Sequence, residues 1–131
     1  VTCGKSFDVY KIDTRAKKVI GYLAFAKAAK MPGPIQTPVH PDEKTLYIPD
    51  MGNGVVHKID LRSFTLIKDI PTGAGAHGVA YSADGRYAYV TNTWENTLAV
   101  IDTTTDVIIK KIPVGEEPNG VAVSNGKNQG W

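Results

Sequence analysis

Apolar and polar positions along this chain come in short runs separated by turns, not in helical stripes. Tyr87–Asn92, Thr97–Asp102 and Val107–Val114 are rich in β-branched and aromatic residues. Polar turns separate them, Thr93–Asn96 and Thr103–Asp106. A further run, His77–Ser82, ends in Ala83-Asp84-Gly85, where glycine suits a positive φ. The pattern predicts four short antiparallel strands. No segment sustains a helical period. Ala24, Ala26, Ala28 and Ala29 would allow one helical turn, which Pro32 and Pro34 would stop.

The pattern repeats. Tyr89-Val90-Thr91-Asn92 has a counterpart in Tyr47-Ile48-Pro49-Asp50, 42 residues earlier. Val100-Ile101-Asp102, Lys58-Ile59-Asp60 and Lys11-Ile12-Asp13 share one column, so Val1-Thr2-Cys3 is the tail of a third tetrad without its aromatic. Val19-Ile20, Leu66-Ile67 and Ile108-Ile109 fall together, as do Leu23, Ile70 and Ile112. Gly78-Val79-Ala80-Tyr81-Ser82 matches Gly120-Val121-Ala122-Val123-Ser124. Between the first two copies five extra residues lie within Lys27–Gly33. A period near 42 with four strands per unit predicts β-propeller blades. A twisted blade has two faces to cover, which explains apolar runs on both parities such as Val107-Ile108-Ile109.

The tetrad Tyr89-Val90-Thr91-Asn92, with Val100-Ile101-Asp102, Ile112-Pro113-Val114-Gly115 and Pro118-Asn119-Gly120-Val121-Ala122-Val123-Ser124, resembles the YVTN-type β-propeller repeat. The third copy fits best. The first departs most, with Cys3 in the Asn column and the insertion before Gln36. The resemblance implies a seven-bladed propeller, secreted or periplasmic. It groups the chain with surface-layer proteins of undefined activity. It also groups it with the propellers of haem nitrite reductases, amine dehydrogenase heavy chains and copper nitrous oxide reductases. It further implies that the first strand of each repeat lines a central channel. Gln36, His77 and Asn119 would then stand at equivalent channel-mouth positions, the candidate cofactor-binding residues.

Composition narrows the classes of function. Fifteen Lys and Arg against thirteen Asp and Glu leave a net +2, too balanced for a nucleic-acid arm or a polybasic anchor. No apolar run is long enough for a membrane-spanning helix. One cysteine, Cys3, excludes an internal disulfide and a Cys-rich zinc site, and it reads as a small buried residue. Gly73-Ala74-Gly75-Ala76-His77-Gly78 fits G-x-G-x-x-G, but a strand follows where a nucleotide site needs a helix. It reads instead as a crossing between blades. Of the histidines, His40 reads as an exposed turn residue and His57 as packing or blade surface. His77 at the mouth is a weak metal candidate, since one imidazole does not close a site. Asp13, Asp60 and Asp102 read as turn formers.

These observations predict an all-β chain of about three propeller blades, incomplete on its own. Residues 1–34 supply strands two to four of one blade plus the insertion, 35–73 a second blade, and 74–115 a third. Residues 116–131 supply the first strand of the next. The whole would have roughly 300 residues. With no catalytic set in view, the expected role is a non-catalytic extracytoplasmic binding or scaffold segment with no cofactor. Its partners would be the remaining blades, from a longer chain or another copy. The alternative is part of a periplasmic redox enzyme that uses haem or copper near His77.

Overall fold

The computed structural model describes residues 1–29 and 32–124. Among them are ten strands and no helix. β1 (Thr2–Cys3), β2 (Asp8–Asp13) and β3 (Lys18–Ala24) form the first sheet. β4 (Thr45–Asp50), β5 (Val55–Asp60) and β6 (Thr65–Pro71) form the second. β7 (Ala76–Tyr81), β8 (Tyr87–Asn92), β9 (Thr97–Asp102) and β10 (Val107–Pro113) form the third. All neighbouring strands run antiparallel, and the stack of three sheets does not close on itself.

The second sheet lacks a regular counterpart of β7. Residues 34–39 lie beside β4 but bridge it only at Pro34↔Asp50 and Val39↔Leu46. Pro34 and Pro38 have no N–H to give the ladder. The insertion forms no helical turn at its described residues. Backbone bonds tie its flanks to the sheets instead, from Phe25 N to Phe7 O at 2.7 Å and from Gly33 N to Gly4 O at 2.8 Å. Residues 116–124 form no strand. The rest of the strand expected there lies outside the described residues.

The repeat extends to backbone conformation. Left-handed φ recurs in matching columns: Phe7, Gly54 and Asn96; Lys17, Phe64 and Asp106; Glu43 and Gly85; Gly75 and Glu117. Each holds a tight turn that L-residues enter only at a cost, so the turn geometry overrides side-chain preference. The outermost strand of each sheet also breaks register at one column. The ladders skip Ile20, Ile67 and Ile109, one residue each, as a β-bulge does. These three isoleucines are 57, 50 and 55% exposed, like Val19, Leu66 and Val107 on the same outer strands.

The core lies between sheets. Val9 of the first sheet packs with Leu46, Ile48, Ile59 and Phe64 of the second. Tyr47, Val56 and Ile70 of the second pack with Ala88, Val90, Ala99 and Ile101 of the third. Leu46 and Ile48 therefore face one neighbour and Tyr47 the other, so β4 is buried on both faces. His40 corrects the sequence reading. It is not an exposed turn residue: its Nε2 lies 2.7 Å from Gly85 O, and its ring meets Tyr81 edge-on. A methyl group at Gly85 would stand 2.7 Å from His40 Cε1, so glycine makes room for the ring.

If inter-sheet packing holds the fold, Ile59→Ala and Ile101→Ala should each lower stability by about 2–5 kcal/mol. Ile109→Ala, at the exposed bulge, should change it by less than about 0.5 kcal/mol. Urea denaturation of the three variants measures the difference.

Candidate functional site

Pairing of the strand ends gathers the polar residues on one edge. Asp50 pairs with Val55 and Val55 with Pro71, while Asn92 pairs with both Ala76 and Thr97. Every turn between second and third strands, and the crossing from β6 to β7, therefore opens on this edge.

The three residues predicted from sequence lie here. His77 begins β7, and its Nδ1 is 3.1 Å from Asn119 O. Thr91 Oγ1 donates to the same carbonyl at 2.8 Å and accepts from Gly78 N at 2.8 Å. A hydroxyl thus links the inner strand of the third sheet to the segment leaving it. Thr2, in the same column, donates to Ile35 O at 2.8 Å, while Pro49 has no hydroxyl to do so. The Asn119 amide donates to Glu117 O at 3.2 Å. Gln36 reaches the strand that carries His77, its Oε1 accepting from Val79 N at 3.3 Å. The structure brings His77 and Asn119 together through a backbone carbonyl and sets the Gln36 side chain against the same strand two residues on, at Val79.

Beside this cluster lies an open pocket of about 530 Å³ lined by Thr93, Trp94, Asn96, Glu116 and Glu117. Trp94 is 39% exposed and rests against Gly75, where a side chain would collide with its backbone N at 2.7 Å. Gly73 and Gly75 have positive φ and lead into a strand, so the glycine motif is a crossing between sheets. Thr93 Oγ1 donates to Pro118 O at 2.8 Å, which joins the pocket wall to the segment under His77. The pocket lining combines an indole with two carboxylates, a chemistry suited to a polar or cationic ligand.

Sequence reading missed the second feature of this edge. His57 is 3% exposed, with Nε2 3.2 Å from Asp50 Oδ2 and Nδ1 2.6 Å from Asp69 Oδ1. Phe25, just past the end of β3, stacks on the ring, centroids 3.9 Å apart and planes parallel. Asn53 donates through Nδ2 to Asp50 Oδ2 at 3.0 Å and to Ala26 O at 2.8 Å. A cavity of about 360 Å³ adjoins them. Both ring nitrogens are engaged and one face is covered, so His57 clamps two sheets and has no free nitrogen for a ligand. The only signal was Asp50 in the Asn column of the tetrad.

Burial raises the Asp50 carboxyl, but hydrogen bonds from His57 and Asn53 outweigh it and hold the group below its ordinary value. Asp60 and Asp102 are also lowered, by turn bonds from Ser63 and Thr104, and so act as turn formers. Desolvation raises the Cys3 thiol, with Asp8 adding to it. Among the described residues no cluster of His, Cys, Asp or Glu is arranged to hold a metal, and no helix is long and apolar enough to cross a membrane.

The sign for pH follows from the lowered carboxylates. A group whose folded pKa is depressed adds stability above its unfolded value and loses it as pH falls through the folded one. Stability should therefore drop on acidification below about pH 4. Asp50→Asn should remove part of that drop. At neutral pH it should cost about 3–5 kcal/mol, as when one partner of a buried pair is lost. Urea midpoints at pH 7 and pH 3 give both numbers.

Comparison with known proteins agrees with this geometry. The model of the YNCE-like beta-propeller family matches residues 3–127. Hydrazine synthase of Kuenenia stuttgartiensis is 28% identical, with TM-score 0.67 over 76% of this chain and 29% of that one. The dihydro-heme d1 dehydrogenase NirN in complex with DHE is 19% identical, with TM-score 0.70 over 86% of this chain and 23% of that one. At that identity the second likeness shows the fold alone. The chain spans less than a third of either structure. No curated protein matches it.

Proposed function

The chain belongs to the YNCE-like beta-propeller family, and on that premise we propose that it is a non-catalytic binding and scaffold segment of a larger propeller. One observation carries this reading: the second sheet is covered on both faces, while the first and third each have a face with no described neighbour. Such faces need other blades, from a longer chain or another molecule. Binding falls to the edge that carries Trp94, Glu116, Glu117, His77, Asn119 and Gln36. The YVTN-type resemblance supports an extracytoplasmic location.

A second reading, the propeller portion of a haem- or copper-dependent redox enzyme, draws on the likeness to hydrazine synthase and NirN. The donor set here does not fit such a group. His77 offers one imidazole with Nδ1 already on a carbonyl, and no group of three or more His, Cys, Asp or Glu is arranged to hold a metal among the described residues. Other blades would have to supply the remaining donors.

The readings separate on protein purified natively. We expect no stoichiometric metal and no visible chromophore, by metal analysis and absorption spectroscopy. A haem or copper spectrum that disappears in His77→Ala would establish the redox reading and overturn ours.

A further inference from the structure

One left-handed column links each sheet to the one before it. Phe64 and Asp106 sit at equivalent turns with φ of 56° each, and each side chain reaches back onto the preceding sheet. Each lands on one cross-strand row. Phe64 covers the pair Lys11↔Gly21. Lys11 Nζ is 5.8 Å from its ring centroid, and a methyl group at Gly21 would stand 2.8 Å from Phe64 Cδ1. Glycine there makes the hollow that the ring fills.

Asp106 lands on the equivalent row, Tyr47↔Lys58↔Lys68. It accepts from Tyr47 Oη at 2.6 Å and from Lys58 Nζ at 2.8 and 3.0 Å, with Lys68 Nζ at 3.8 Å. Gly21 and Lys68 occupy one column, so the same backbone frame holds a hollow for an aromatic ring in one interface and cations for a carboxylate in the next. The turn residue is a key, and the row is its socket.

The third sheet has the same row, Tyr89↔Val100↔Lys110, on the face away from the second sheet. Ala88, Val90, Ala99 and Ile101 point to the second sheet, so Tyr89, Val100 and Lys110 lie on the opposite face, Val100 buried at 8% exposure, Tyr89 half-buried and Lys110 exposed. Tyr89 repeats Tyr47 and Lys110 repeats Lys68, while Val100 replaces Lys58. The row has no glycine hollow for a ring, and it keeps the hydroxyl and one ammonium. The first sheet's own key is Lys17, exposed at φ 54°.

We infer that Tyr89, Val100 and Lys110 form a socket for a further blade whose left-handed turn residue is an acid. A second copy of this chain would bring Lys17 against Lys110, a like-charge contact that disfavours pairing. The inference rests on reading the chain as a segment completed by other blades, and it specifies their chemistry.

Changing the key tests it. Lys17→Glu gives the chain an acidic key, and Glu43 and Glu117 show that this molecule already holds Glu at such turns. Sedimentation equilibrium should show K17E self-associating about tenfold more tightly than the unmodified chain. K17E/K110E, which restores like charges, should return to the unmodified mass. K17E no heavier than the unmodified chain would overturn the inference. So would association of the unmodified chain that K110E leaves unchanged. The underlying reading fails separately, if the unmodified chain is a monomer that binds no apolar dye at its open faces.

Discussion

Everything in this structure depends on covering both faces of a twisted sheet. A single sheet of this length can bury only one face against itself or a neighbour, and its other face remains apolar. The second sheet shows the solution, with Leu46 and Ile48 packed one way and Tyr47 and Val56 the other. The arrangement propagates, because each sheet that covers a neighbour brings a new face to be covered. Repetition of one sequence unit follows from that constraint, since equivalent interfaces are met by equivalent columns.

The interfaces are nevertheless not identical. Apolar burial supplies the non-directional attraction, and it would accept many orders of blades. Direction and order come from the few polar residues set into it. His57 between Asp50 and Asp69 fixes the joint under Phe25, and His40 against Gly85 O fixes the joint on the opposite edge of the second sheet. Each is sensitive to its geometry in a way that a leucine pair is not, so an incorrect neighbour leaves a buried polar group without its partner.

Much of this was legible in the sequence, for a physical reason. Strand residues alternate between faces and turns need particular residues, so β8 and β9 coincide with the runs Tyr87–Asn92 and Thr97–Asp102. The columns were visible because they share apolar character. What stayed hidden lay in columns whose members differ. Lys17, Phe64 and Asp106 share a backbone conformation and no side-chain chemistry. His57 aligns with Tyr10 and Ala99, so nothing in its column marked a clamp. Its partners come from the two flanking strands of its sheet and from Phe25 just past β3, which only the fold brings together. Gln36, His77 and Asn119 share a column position, but the carbonyl contact of His77 depends on where residues 118 and 119 cross the edge.

The bulge at Ile20, Ile67 and Ile109 has a consequence beyond local shape. The outermost strand of each sheet is an exposed edge, with a row of donors and acceptors that could template another chain. A bulge midway along it breaks the even spacing that an incoming strand would need, and it does so in the same place on all three sheets. The outer edges are thereby a poor template for edge-to-edge pairing, while the apolar faces remain to be covered through side chains that discriminate. A protein made of near-identical, strand-rich units is a natural candidate for fibre formation. Here the protection against it is built into the repeat itself, so each new unit carries its own barrier to amyloid-like stacking.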